Sequence, residues 1–136
     1  MIKKIDNKSW HVGIKGLVFD EGGKLLLLQE ANGMWELPGG RMEHGKTFEQ
    51  TLKREIMEEM GVGCEVLDTY PYWAWPHQIT SDRSWRIFLC FRIKLHSLDF
   101  IRSDECVDHA FFDPEGLKQL GDKLYTRAII DFYRAI

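Results

Sequence analysis

Residues 39–62 constrain this chain more than any other stretch. They read Gly39-Gly40-Arg41-Met42-Glu43-His44-Gly45-Lys46, then residues 47–53, then Arg54-Glu55-Ile56-Met57-Glu58-Glu59-Met60-Gly61-Val62. Thr47 followed by Gln50 predicts a capping box and so a helix start. Gly61 predicts its left-handed C-terminal cap. At about 100° per residue, Phe48, Leu52, Ile56 and Met60 fall on one apolar stripe, roughly 120° wide. Glu55, Glu58 and Glu59 stand at i, i+3 and i+4 on the neighbouring face. Like charges at that spacing repel and destabilise a helix unless a cation sits among them. Carboxylate oxygens suit a hard ion, Mg²⁺ or Mn²⁺. The plain alternative is a solvated acidic helix face.

The stretch resembles the signature box of the Nudix hydrolases. That pattern runs Gly, five residues, Glu, seven residues, Arg-Glu, aliphatic, any, Glu-Glu, any, Gly, aliphatic. Every fixed position matches except the first Glu, which is Lys46 here. A pattern of this length is far more specific than a lone glycine motif.

Composition sets the frame around it. A chain of 136 residues, 44% hydrophobic and 29% charged, is of the size and make-up of one soluble domain, taken as residues 1–136. The net charge of −3 provides no basic field for duplex nucleic acid. Cys64, Cys90 and Cys106 are odd in number and lack paired spacing, which predicts buried free thiols and a cytoplasmic setting. No apolar run reaches the length of a signal peptide or a membrane span.

Residues 10–19 alternate with period two, placing Trp10, Val12, Ile14, Gly16 and Val18 on one strand face. Residues 20–23 predict a turn, and 24–30 a strand whose four leucines are covered on both faces. After the box helix, residues 63–75 read as one aromatic strand and 76–84 as polar loop. Residues 85–95 alternate most clearly and are expected to pair antiparallel with the strand before them. A short strand over 107–112 follows. Asp113-Pro114 then opens a short helix to about Leu120. A last helix is expected from about Lys123, with Leu124, Ala128, Ile129, Phe132 and Ile136 on its core face. This order predicts an α/β fold with a mixed sheet between helices; the resemblance specifies a Nudix-type α/β/α sandwich.

The resemblance also implies the chemistry: metal-assisted attack of water on a pyrophosphate linked to a nucleoside, a small-molecule substrate. Divalent ions neutralise phosphate oxygens and lower the pKa of a bound water. Carried over by position, Glu58 and Glu59 correspond to metal ligands. Glu55 is a third ligand or the base that takes the water's proton. The Gly39 carbonyl is a further ligand, and Arg54 orients Glu55. A last carboxylate from a later loop has Asp104 and Glu105 as candidates. Trp35, Trp73 and Trp75 are candidates for stacking on a base, with core packing as the alternative. Arg41, Arg83 and Arg86 are candidates for pairing with phosphate, with plain solvation as the alternative. Where many members of that family have an arginine at the end of the second strand, this chain has Gln29-Glu30, which argues against a basic phosphate or base contact from there.

Lys46 is the departure. Its charge is unfavourable at the positive end of a helix dipole, and it cannot accept a hydrogen bond from Arg54. Either Arg54 and Glu55 are held less firmly, or Lys46 contacts a substrate phosphate, or it pairs with Glu43 or Glu49. The second functional reading is a nucleotide-binding or sensor module with little turnover. Substrate identity stays open, as does the choice between monomer and homodimer.

Overall fold

Four consecutive leucines decide the layering. Leu25, Leu26, Leu27 and Leu28 are all at most 1% exposed. Because strand side chains alternate, Leu26 and Leu28 join one core and Leu25 and Leu27 another. The computed structural model describes residues 10–78 and 83–135. In chain order the elements are β1 (Trp10–Leu17), β2 (Leu25–Gln29), β3 (Trp35–Glu36), β4 (Gly39–Arg41), α1 (Phe48–Met60), β5 (Cys64–Val66), β6 (Trp73–Gln78), β7 (Trp85–Leu95), β8 (Asp108–Phe112), α2 (Pro114–Gln119), a 3-10 turn (Gly121–Lys123) and α3 (Ala128–Ala135).

β1 lies between β4, antiparallel, and β7, parallel. The far edge of β7 pairs antiparallel with β6 along its first half and with β5 at its end. A second sheet has the order β3-β2-β8, all antiparallel. On one side α1 contributes Leu52, Ile56 and Met60 to a core with Ile14, Leu26, Leu28, Phe91 and Ile93. On the other, Leu117 of α2 and Ile129 and Ile130 of α3 pack on Leu17, Leu25, Leu27, Phe88 and Cys90. The result is the α/β/α sandwich with a mixed sheet.

The helix signals of the box are realised in full. Thr47 accepts from the Gln50 amide, the Gln50 side chain accepts from the Thr47 amide, and Gly61 takes φ 69°. Phe48 departs from the expected buried stripe: it is 37% exposed and rests on the Phe91 ring at 5.2 Å. It occupies the first helical position, at the end of the apolar stripe.

Several expected elements differ. The single strand over 63–75 is two strands, because the Asp68 carboxylate captures Arg92 at both its amide (2.8 Å) and its guanidinium (2.7 Å). The side chain thus takes the place of a ladder partner. β6 then runs through Pro76, expected to be loop, to Gln78. Among the described residues β6 pairs only with β7, and an edge strand tolerates a proline. Residues 35–38, read from the sequence as the lead into the box glycines, contain β3 at Trp35–Glu36, and the first three residues of the box form β4. The last helix begins later than expected. Leu124 is extended and bridges to Trp35, and the Tyr125 amide donates to the Trp35 carbonyl at 2.9 Å. Ile136 and residues 79–82 of the expected loop lie outside the described residues. Cys64, Cys90 and Cys106 are buried free thiols. Among the described residues no helix is long and apolar enough to cross a membrane.

Candidate active site

The site forms where the glycine strand lies against the acidic edge of α1. β4 is held on β1 in the register Ile14↔Gly40 and Lys15↔Gly39. This brings the Gly39 amide to Glu59, to whose Oε1 it donates at 2.8 Å. Glu59 is 3% exposed. Burial pushes its carboxyl up to about 9, against the opposing pull of Lys15 and of the Gly39 amide. Gly40 has no side chain between it and Glu55: a Cβ there would stand 2.7 Å from Glu55 Oε1. Gly40 therefore admits the Glu55 carboxylate to the strand, while the Gly39 amide holds that of Glu59.

Glu105 arrives from the other end of the sequence. Residues 103–106 close a tight turn, with amide-to-carbonyl bonds of 3.1 Å in both directions between Ser103 and Cys106. The Ser103 hydroxyl donates to the Glu59 carbonyl at 2.7 Å, and the Ile101 amide to that of Met60 at 2.9 Å. These bonds dock the turn on the C-terminal end of α1. Carboxylate oxygens of Glu55, Glu59 and Glu105 lie within 4.8 Å of one another. Asp104, the other candidate in that loop, uses its backbone carbonyl to accept from Ala31 at 2.9 Å and is not in the trio.

Glu55 is half-buried. Burial raises its carboxyl, and the charges of Glu58 and Glu105 raise it further, while Arg54 opposes them. Arg54 donates from Nη2 to Glu55 Oε1 at 2.8 Å and from Nη1 to Glu43. Glu58 is exposed, with its carboxylate 3.7 Å from Arg54 Nε, and lies outside the trio.

A cleft of about 190 Å³ opens beside the trio, with Glu55, Glu105, Gly39, Gly40 and Arg41 on its wall. Lys15 and Arg86 line it as well. Lys15 is buried and bonds Glu36 at 3.1 Å. Burial acts to lower its pKa, but the nearby Glu36 and Glu59 outweigh this and raise it. Arg86 Nε is buried without a hydrogen-bond partner among the described residues, and Arg86 Nη1 reaches the Tyr125 hydroxyl at 3.4 Å. Tyr125, His77 and Trp75 lead from there into a broad groove of about 770 Å³.

The sequence-level candidates thus separate. Glu55, Glu105, Gly39, Arg41 and Arg86 line the cleft, Glu59 joins Glu55 and Glu105 in the trio beside it, and Trp75 lies in the adjoining groove. Trp35 lies in neither: it is 8% exposed and packs edge-on against Phe112 at 5.1 Å, so it is a core residue. Trp73 stacks on Phe132 at 4.6 Å. Lys46 is exposed and lines neither cavity. Sequence reasoning missed Lys15, Glu36, His77 and Tyr125. A lysine between Gly13 and Leu17 on one strand face was an available signal.

The class is an α/β/α sandwich with a carboxylate cleft along one helix edge. The family model described as NUDIX domain matches residues 9–132. The chain is 32% identical over 124 residues to the nucleoside triphosphatase NudI of Enterobacter sp. (strain 638), covering 81% of this chain and 87% of that protein. It is 36% identical over 73 residues to the 8-oxo-dGTP diphosphatase of Proteus vulgaris, covering 48% and 64%. In fold it is similar to the MutT protein from Methanosarcina mazei Go1, with TM-score 0.75, 23% identity and coverage of 95% and 94%. The chain belongs to the Nudix family and is a pyrophosphohydrolase of that type.

Proposed function

We propose that this chain hydrolyses a pyrophosphate bond in a nucleoside di- or triphosphate derivative with the help of Mg²⁺ or Mn²⁺. The observation that carries this reading is the convergence of Glu55, Glu59 and Glu105 within 4.8 Å, beside a cleft lined by cations. Burial and mutual repulsion raise two of these carboxyls, and a divalent cation would relieve both effects. Three oxygen donors with room for water suit Mg²⁺ or Mn²⁺. The Gly39 carbonyl is a further donor in this reading, and Glu58 becomes one only once its side chain turns from Arg54 toward the trio. The bound ion would neutralise phosphate charge and supply hydroxide near neutral pH.

The chain's own residues take the remaining tasks. Glu55, with its raised carboxyl, accepts the proton of the attacking water. Arg54 holds Glu55 in place. Arg41 and Arg86 bind phosphate oxygens. The nucleoside lies in the groove of Trp75, His77 and Tyr125, where a ring can stack. The NudI and 8-oxo-dGTP relatives support starting from nucleoside triphosphates. A cytoplasmic setting rests on the three free thiols. The exposed Tyr70 and Tyr72 are where a homodimer would be sought by sedimentation.

A panel of normal and oxidised nucleoside triphosphates, nucleotide sugars, ADP-ribose and dinucleoside polyphosphates, with Mg²⁺ or Mn²⁺, tests this reading. Turnover of at least one is expected; tight binding of one with turnover of none would overturn it. Calorimetric titration of Mn²⁺ separates the roles of the two glutamates. Glu55→Gln is expected to lose most turnover yet keep most Mn²⁺ affinity, whereas Glu59→Gln loses both. Equal loss of affinity would make Glu55 a plain ligand. Arg86→Ala is expected to raise KM about tenfold to a hundredfold, the worth of a charge-assisted hydrogen bond to a buried donor. An unchanged KM would remove Arg86 from the phosphate site.

A further inference from the structure

Arg54 is fixed at its two ends by two different carboxylates. Nη2 donates to Glu55 at 2.8 Å, and Nη1 contacts Glu43. Its Nε is buried and without a hydrogen-bond partner among the described residues, since Glu58 stands 3.7 Å away. Glu43 and Glu55 are therefore the two side chains that set the plane of the guanidinium, and Glu55 is the one at the cleft.

Glu43 does not reach Arg54 by chance of a long side chain. The Met42 amide donates to the Val12 carbonyl at 2.8 Å, which anchors the loop to β1. The Lys46 amide donates to the Glu43 carbonyl at 3.3 Å, and Gly45 takes φ 80°. The loop thus turns back on itself, and Glu43 and Lys46 come together across it. The Arg54 guanidinium holds the Glu43 carboxyl below the usual range, and Lys46 adds to the effect. Lys46 stands where the family box has its first Glu, and its charge acts on Glu43 from there.

We infer that Glu43 is a positioning residue that supplies, from three residues earlier in the loop, the carboxylate that Lys46 leaves absent from the box. It clamps Arg54 from the side opposite Glu55, and Arg54 in turn fixes Glu55. Lys46 steadies Glu43 by its charge. The effect on reaction rests on the functional reading above, in which Glu55 acts on the water. The clamp itself does not.

The ion pair is partly exposed, so its worth in stability is small. Its worth in position is larger, because a misplaced catalytic group can cost on the order of a hundredfold in rate. Glu43→Gln is therefore expected to lower kcat by roughly tenfold to a hundredfold, with KM and melting temperature little changed. Placing a carboxylate at position 46 should restore it: Glu43→Gln with Lys46→Glu regains most of kcat, whereas Glu43→Gln with Lys46→Gln does not. Side-chain NMR of Arg54 reads the clamp without substrate or metal. Rotation of the guanidinium is slow in the wild type, fast in Glu43→Gln, and slow again when Lys46→Glu is added.

Wild-type kcat and slow Arg54 rotation in Glu43→Gln would overturn the inference. If Glu59→Gln were inactive at the same time, the functional reading would survive it. Equal restoration by Lys46→Gln would reduce the effect to simple charge balance and overturn it as well, and so would failure of Lys46→Glu to restore. Absence of turnover in the wild type would sink the functional reading instead, and the Arg54 rotation would still decide the clamp.

Discussion

Glu59→Gln is expected to reduce turnover by orders of magnitude while the fold stays intact. The substitution is nearly isosteric and keeps an acceptor for the Gly39 amide, which donates to Glu59 Oε1 at 2.8 Å. What it removes is a negative oxygen from the trio with Glu55 and Glu105, and with it the attraction for a divalent ion. Stability gives an independent sign. The Glu59 carboxyl, pushed by burial from 4.5 up to about 9, keeps its proton in the folded metal-free protein over a range where the unfolded chain has lost it. The folded state binds more protons across that window, so stability falls as pH rises through it. Glutamine cannot ionise and lacks this slope. Without metal, the melting temperature of Glu59→Gln should exceed that of the wild type above neutral pH, at about pH 8. Adding Mn²⁺ should raise the wild-type melting temperature and leave that of the variant nearly unmoved. Wild-type turnover in Glu59→Gln would take Glu59 out of the site.

Adjacent glycines are expected to fail in opposite ways when replaced by alanine. Gly39 has φ 136°, and a Cβ there would fall on the Ile14 carbonyl oxygen and 2.8 Å from Lys15 Cα. Both are backbone atoms of a central strand and cannot swing aside. Gly39→Ala should cost about 3 kcal/mol or more, seen as a fall of roughly 10 °C in melting temperature. The atoms nearest a Cβ at Gly40 would be those of the Glu55 carboxylate, the far end of a flexible side chain. Glu55 can rotate away at little cost to the fold, but it then leaves the position opposite Arg54 and the trio. Gly40→Ala should melt close to the wild type and lose about a hundredfold in kcat. Thermal melts and steady-state kinetics of the two variants, side by side, check the pattern. A fully active Gly40→Ala would mean that the observed placement of Glu55 is not needed for turnover.

Much of the architecture was legible because it is written in local, periodic signals. The caps at Thr47 and Gly61, the alternation along β7 and the leucine run of β2 act over a few residues each. The breaks in that legibility have identifiable causes. Asp68 interrupts a strand by bonding Arg92, a residue far along the chain. Pro76 sits in a strand because β6 has a partner on one side only among the described residues. Trp35 was a stacking candidate by its place before the box, yet its ring belongs to the core under α3.

The sequence by itself determined the acidic helix, its two caps, the glycine pair that receives it and the family to which all of these belong. Spacing alone suffices there, because residues one helical turn apart share a face whatever surrounds them. Only the tertiary structure decided which carboxylates converge. Glu58, adjacent in sequence to Glu59, turns out toward Arg54, while Glu105 comes in from a distant loop. It also decided that Lys15 and Glu36 form a partly buried ion pair beside the site, and that Glu43 meets Arg54. Those contacts depend on strand register and loop closure between segments far apart in the chain. Their energy exists once the cores on the two faces of the sheet have packed, and no local pattern encodes it.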